Sequence, residues 1–261
     1  MGAFFGKPEY NTPEGAYSWQ HLLHVSLLMV LMVVFAVLLG RKNRNKDEKT
    51  KNQVLVWTSF IINGFELFRI AFNIGASSDG LSWQKDLPLY LCSIQFIAIP
   101  IAAFTKGRVK EAALDFVFIF GILSAVAGTF GASQIYNSRP VLSISPIFSG
   151  TTHTLSGFAS LYIVISHMES MKKKNIPITI GILLGFCVLA MIANAAFDHN
   201  YMFLVYHEGT PYSIVYNWVN GNKYLYPILV ILLFIVYMAI FYGIYYLCQK
   251  GSKKKTQNAK N

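Results

Sequence analysis

Residues 19–51 read WQHLLHVSLLMVLMVVFAVLLGRKNRNKDEKTK, an apolar run of about twenty residues that breaks into six Lys and Arg within eleven positions. As a helix rising 1.5 Å per residue, such a run covers the roughly 30 Å hydrocarbon core of a bilayer. The basic block behind it and the weakly charged, aromatic stretch before it read as a membrane span and not as a cleaved signal. The pattern recurs along the chain. Apolar stretches at 19–40, 53–74, 87–105, 112–132, 149–168, 177–197 and 225–248 predict an all-α polytopic bundle of seven transmembrane helices. They form one expected domain over residues 1–249, followed by a basic cytoplasmic tail at 250–261.

Composition agrees. Of 261 residues, 54% are hydrophobic, 15% aromatic and 13% charged, too little polar surface to coat a soluble globule, so a water-soluble enzyme is excluded. Disorder is excluded because the apolar content is spread along the whole chain. A net charge of +10 would point to nucleic acid only if it formed a patch interleaved with stacking aromatics. Instead the basic residues fall in connections: six in Arg41–Asn52, three in Thr105–Glu111, three in Glu169–Asn175 and five from Lys250 onward. These segments alternate onto one face, and the opposite face collects only Lys7, Lys85, Arg139 and Lys223. The positive-inside rule then predicts an outer N-terminus, an inner C-terminus and no nucleic-acid partner. Cys92, Cys187 and Cys248 all lie in apolar runs, with no disulfide framework or CxxC pair, and no metal or cofactor is expected. The outer loop Asp198–Tyr224, dense in Tyr, Trp, Phe and Asn, reads as an interfacial belt or lid.

An ionisable side chain inside a span costs about 3 kcal/mol on insertion scales, so each one present needs a partner or a task. Glu66 and Arg69 are three residues apart, on one helical face where they can pair. Asp86, Leu87 and Pro88 read as the start of the helix that carries Cys92, and His153 lies in the small, hydroxyl-rich stretch SGTTHTLSG. Measured from the outer end of each span, Cys92, His153, His24 and Arg69 fall about 6–7 Å deep and Glu66 about 12 Å deep. Four expected helices therefore place polar groups in one slab of the outer leaflet.

A thiol acts as a nucleophile only as thiolate, and His153 from another span can take its proton. Glu66, His24 or Asn200 can orient the imidazole, and Arg69, Asn200 or a backbone amide can stabilise an oxyanion. The same residues also admit a structural reading: a membrane His can simply hydrogen-bond a neighbouring helix, and Glu66–Arg69 can be a structural pair.

The segment LPLYLCSIQF at 87–96 resembles the LPLHLC signature of the YwaF-like integral membrane proteins of bacteria, with Tyr90 where the signature has His. HNYMFL at 199–204, which includes Asn200 and Tyr201, resembles the stretch before their last span. FSGTTHTLSGF at 148–158 stands where they carry a histidine-bearing helix. That family is similar to a eukaryotic membrane acyltransferase that remodels ether phospholipids through a cysteine acyl intermediate, and more distantly to androgen-induced hydrolases of fatty-acid esters. The resemblance implies a multi-pass protein of the bacterial cell membrane, with the signature cysteine at Cys92, the histidine at His153 and Tyr90 and Tyr201 beside the site. It implies acyl transfer from a membrane phospholipid through a thioester to a lysolipid or a lipoprotein amine, with no cofactor. Two rivals stand beside it: a lipid ester hydrolase using the same Cys/His pair, and a seven-helix transporter or receptor. A retinal protein is excluded, because the seventh span has no Lys for a Schiff base.

Overall fold

The computed structural model describes residues 12–76 and 87–258, and among the described residues all regular structure is helical. The helices fall into two compact units, the first ending at Thr179 and the second beginning at Ile180. The first holds α1 (Trp19–Asn43), α2 (Glu48–Ala76), α3 (Gln95–Phe104), α4 (Gly107–Phe130), α5 (Ser133–Ser138), α6 (Ile144–Ile165) and the opening turn of α7 (Ile176–Phe197). The second holds the rest of α7 with α8 (Ser213–Trp218) and α9 (Leu225–Asn258).

Among the described residues, five stretches are long and apolar enough to cross a membrane: Trp19–Asn43, Glu48–Phe72, Gly107–Ser138, Lys173–Phe197 and Leu225–Lys250. The expected spans at 87–105 and 149–168 differ from this. In the first, residues 87–94 form turns, and only the ten residues of α3 are helical, about 15 Å of rise or half a hydrocarbon core. Pro88 stands in the turn segment, Pro100 removes one N–H inside α3, and the Tyr90 carbonyl accepts from the N–H groups of both Ser93 and Ile94. The helix start expected at Asp86–Pro88 is therefore displaced to Gln95. Asp86 itself lies outside the described residues.

The other difference has the opposite cause. Helix α6 has 22 residues, length enough to span, but its run of Ser, Thr and Gly lowers its hydropathy. Most of those residues face other helices: α6 packs on α1, α2 and α4, and most of its side chains are buried. A Cβ added at Gly121 of α4 would meet the Ser156 carbonyl oxygen of α6 at 2.6 Å, so the two backbones approach as only a residue without a side chain permits. Ser160 Oγ crosses the seam and donates to Phe118 O at 2.6 Å. The hydroxyls of Thr154 and Ser156 donate back to Gly150 O and Thr152 O, which satisfies them within the helix.

Helices α2, α3, α4 and α6 pack in a closed circuit, and α1 lies against α6 outside it. Helices α1 and α6 run parallel: Gly150 meets His24 and Leu28, Gly157 meets Met32, and Gly40 meets Ile165. Helix α2 runs antiparallel to both. Phe148 of α6 stacks on Phe68 at 5.1 Å, while at the other end Tyr162 donates to Lys51 O at 3.0 Å and accepts from Asn43 at 3.1 Å. Asp47 precedes α2, and its hydrogen bond from Thr50 holds its carboxyl below the usual carboxylate range. Buried Asp115 turns the chain out of α6 by accepting from Ser170 N at 3.0 Å and Met171 N at 2.7 Å.

The close seam gives a contrast. Gly121→Leu should lower the apparent melting temperature in detergent by several degrees, as overpacking does at a cost of about 1–3 kcal/mol. Gly181→Ala, where a Cβ meets nothing within 4 Å, should leave it unchanged or raise it.

Candidate functional site

The circuit of α2, α3, α4 and α6 has an apolar periphery, so a polar group placed on it must find its partner locally. On α2, Arg69 Nε donates to Glu66 Oε2 at 3.0 Å and Nη2 donates to Oε1 at 2.7 Å. This bidentate fork needs the i, i+3 spacing that the sequence shows. Glu66 is buried and the Arg69 side chain is about a quarter exposed.

Cys92 stands in the turn segment, three residues before α3, and not six residues inside a helix as expected. It is a free, half-buried thiol in contact with Ser93 Oγ at 3.9 Å. Tyr90, also half-buried, makes the turn that delivers it. His153 is half-buried on α6. Because α6 begins at Ile144, five residues before the expected start, His153 lies about 13 Å along its helix and not about 6 Å. Its ring lies in contact with the backbone of Gly128 on α4, where a Cβ would occupy the same space. Its Nδ1 is hydrogen-bonded to Ser124 Oγ at 3.2 Å, and Nε2 has no hydrogen-bond partner among the described residues.

Cys92 and His153 are not hydrogen-bonded to each other. Both lie within electrostatic reach of the ion pair, the thiol with Glu66 and the imidazole with Arg69. The thiol and the imidazole thus each feel one member of the Glu66–Arg69 pair. His24 does not orient the imidazole: its Nε2 is buried on the α1–α6 seam against Gly150 and Leu28 without a hydrogen-bond partner. Its neighbour His21 is structural, accepting from Tyr17 N at 2.9 Å, bonded to Thr129 O at 3.2 Å and stacked on Tyr136.

Asn200 and Tyr201 belong to the second unit and organise a loop there. Asn200 accepts from Val205 N and Tyr206 N and donates to Tyr206 O and Glu208, so both ends of its amide are occupied. Tyr201 is fully buried and exchanges backbone hydrogen bonds with the Asn194 side chain. Asp198, Met202 and Phe203 all adopt positive φ, a costly conformation for residues other than Gly. The structure therefore shows the Asn200 amide committed to its own loop, with no donor left for an oxyanion.

Three residues were missed by the sequence reading. Ser124 and Gly128 hold the imidazole, and their signal was the recurrence of small residues at Gly121, Ser124, Ala125 and Gly128, which mirrors the stretch on α6. Gln95, the first residue of α3, is 0% exposed, and among the described residues neither its Oε1 nor its Nε2 has a hydrogen-bond partner. An amide left unsatisfied in this way costs about 1–3 kcal/mol per group and calls for an explanation. Its signal was a lone polar residue opening the apolar run QFIAIPIAAF, three positions after Cys92.

No curated protein and no solved structure matches the chain. The profile of the TMEM164 family matches residues 16–245, from just before α1 to well inside α9, and the chain belongs to this family of membrane proteins.

Proposed function

We propose that the protein is a multi-pass acyltransferase of the cell membrane, crossing it seven times with the N-terminus outside, in which Cys92 carries the acyl group as a thioester. The observation that carries this reading is the shared environment of the thiol and the imidazole, one beside Glu66 and the other beside Arg69 within the same helix circuit. The turn segment 87–94 is compatible with a membrane depth because irregular backbone is tolerated there when protein surrounds it.

In this mechanism Cys92 Sγ attacks the ester carbonyl of a membrane phospholipid, and the thiol proton passes to His153 Nε2. The base form requires the tautomer in which Nδ1–H donates to Ser124 Oγ and the lone pair is on Nε2, and the Ser124 hydroxyl oxygen stands where it can accept that hydrogen. The two groups close to hydrogen-bond distance when substrate binds, a tightening common at catalytic contacts. Negative charge on the carbonyl oxygen is met by the Gln95 amide, whose N–H donors have no partner, and by Arg69. Collapse breaks the ester C–O bond, and His153 returns the proton to the lysophospholipid that leaves. His153 then deprotonates the hydroxyl of an acceptor lysolipid, or takes the proton from a lipoprotein amine, the acceptor attacks the thioester, and the thiol is regenerated. Glu66 and Arg69 act as one unit, with the carboxylate holding the guanidinium in place.

In proteoliposomes with a labelled phospholipid and a lysophospholipid acceptor, Cys92→Ala should abolish formation of the new acylated lipid, and His153→Ala should lower it at least about 100-fold. Gln95→Ala should lower the rate about 100-fold without lowering the melting temperature, because it removes an unsatisfied amide. Free fatty acid as the sole product would show hydrolysis in place of transfer. Full activity in Cys92→Ala would refute the thioester.

Removing one member of the ion pair should also be costly. Glu66→Leu takes the bidentate carboxylate away from Arg69 and should destabilise the fold by about 2–4 kcal/mol, whereas the double variant Glu66→Leu with Arg69→Met should recover part of the loss on thermal unfolding.

A further inference from the structure

A cavity lies on the side of α6 away from His153. It occupies about 440 Å³, within the range of roughly 300–1,000 Å³ typical of small-molecule sites. Its walls run from Leu28 to Leu39 on α1, from Val54 to Ile61 on α2 and from Thr151 to Phe158 on α6. The lining is almost wholly apolar. Thr58 and Thr154, two of its few polar residues, spend their hydroxyls on Val54 O and Gly150 O, so they add methyl groups to the walls. Leu28 to Leu39 is about 16 Å of helix, which matches one leaflet, half of the roughly 30 Å hydrocarbon core. At the end toward Phe148, that residue packs on the rings of Phe65 and Phe68 at 5.0 and 5.1 Å.

The other end is basic. The α1 stripe that reaches Phe35 and Leu39 continues at helical spacing to Lys42, and the α2 stripe of Thr58 and Val54 continues to Lys51. Tyr162, one turn beyond Phe158, pins this rim through Asn43 and the Lys51 carbonyl. Neither lysine donates a side-chain hydrogen bond or forms an ion pair within the described residues. Polar ligands would waste the walls, and a zwitterionic lipid would waste the rim.

We infer that the groove between α1, α2 and α6 seats one acyl chain of an anionic phospholipid whose phosphate lies between Lys42 and Lys51. The site belongs to the leaflet on the side of the basic connections, and it is independent of the Cys92 chemistry because His153 faces α4 across the thickness of α6.

Native mass spectrometry of the detergent-solubilised protein with added phosphatidylglycerol or phosphatidylcholine tests this. One phosphatidylglycerol per chain should be retained in preference to phosphatidylcholine. Lys42→Gln with Lys51→Gln should weaken that preference by about tenfold or more, on the basis of roughly fivefold per surface lysine. Lys174→Gln, a basic residue of another connection, should leave it intact. Leu155→Trp, which fills the groove, should release both lipids. A phosphatidylglycerol with a photoreactive group in its acyl chain covers the case of a variant that fails to fold, since it needs only the native chain. Crosslinks should map to peptides spanning 28–39, 54–61 and 151–158. Crosslinks confined to other helices, or an undiminished preference in the double lysine variant, would overturn the inference.

Discussion

The approach of α4 to α6 sets the position of His153 and the course of α6 through the first unit. Gly121 and Gly128 let the two backbones come together, and the same closeness lays the His153 ring on Gly128 with Ser124 at its Nδ1. A larger residue at either glycine would have to push α6 outward, and α6 also carries the contacts with α1 and α2. The hydroxyl-rich stretch of α6 is affordable for the same reason. The hydroxyls of Thr152, Thr154 and Ser156 return their hydrogens to the helix backbone, and that of Ser160 crosses to α4, which satisfies these donors without water.

Around that seam, charge is handled by pairing and not by exposure. Glu66 and Arg69 neutralise one another through two short hydrogen bonds, and the pair serves as the electrostatic neighbour of both Cys92 and His153. Gln95 is different. It is fully buried, and neither end of its amide is satisfied among the described residues, which makes it a costly neutral group three positions from the cysteine. In the proposed chemistry the cost is recovered when negative charge develops on a substrate carbonyl. The α6 helix also divides the unit, with the polar circuit on its α4 side and an apolar groove on its α1 side.

The long apolar runs at α1, α2, α4, α7 and α9 were legible because length and hydropathy are properties of the residues themselves. Two features were not. The turns at 87–94 come from Pro88 and from how the Tyr90 carbonyl is used, in a stretch whose apolar composition reads as a helix. The early start of α6 puts His153 about 7 Å farther along its helix than expected, since Ile144–Phe148 reads equally well as loop or helix. Glu66–Arg69 was legible because an i, i+3 pair depends on one helix alone. Ser124, Gly128 and Gln95 act on other segments through packing, and a linear pattern of small residues marks a close seam without saying which side chain fills it.

The thioester at Cys92 can be seen directly. Purified protein incubated with phospholipid carrying an isotopically labelled acyl chain should yield, on peptide mass spectrometry, the acyl mass on the peptide containing Cys92, removed by hydroxylamine at neutral pH. The same label on Cys187 or Cys248, or an unmodified Cys92 in protein that is turning over substrate, would contradict the account.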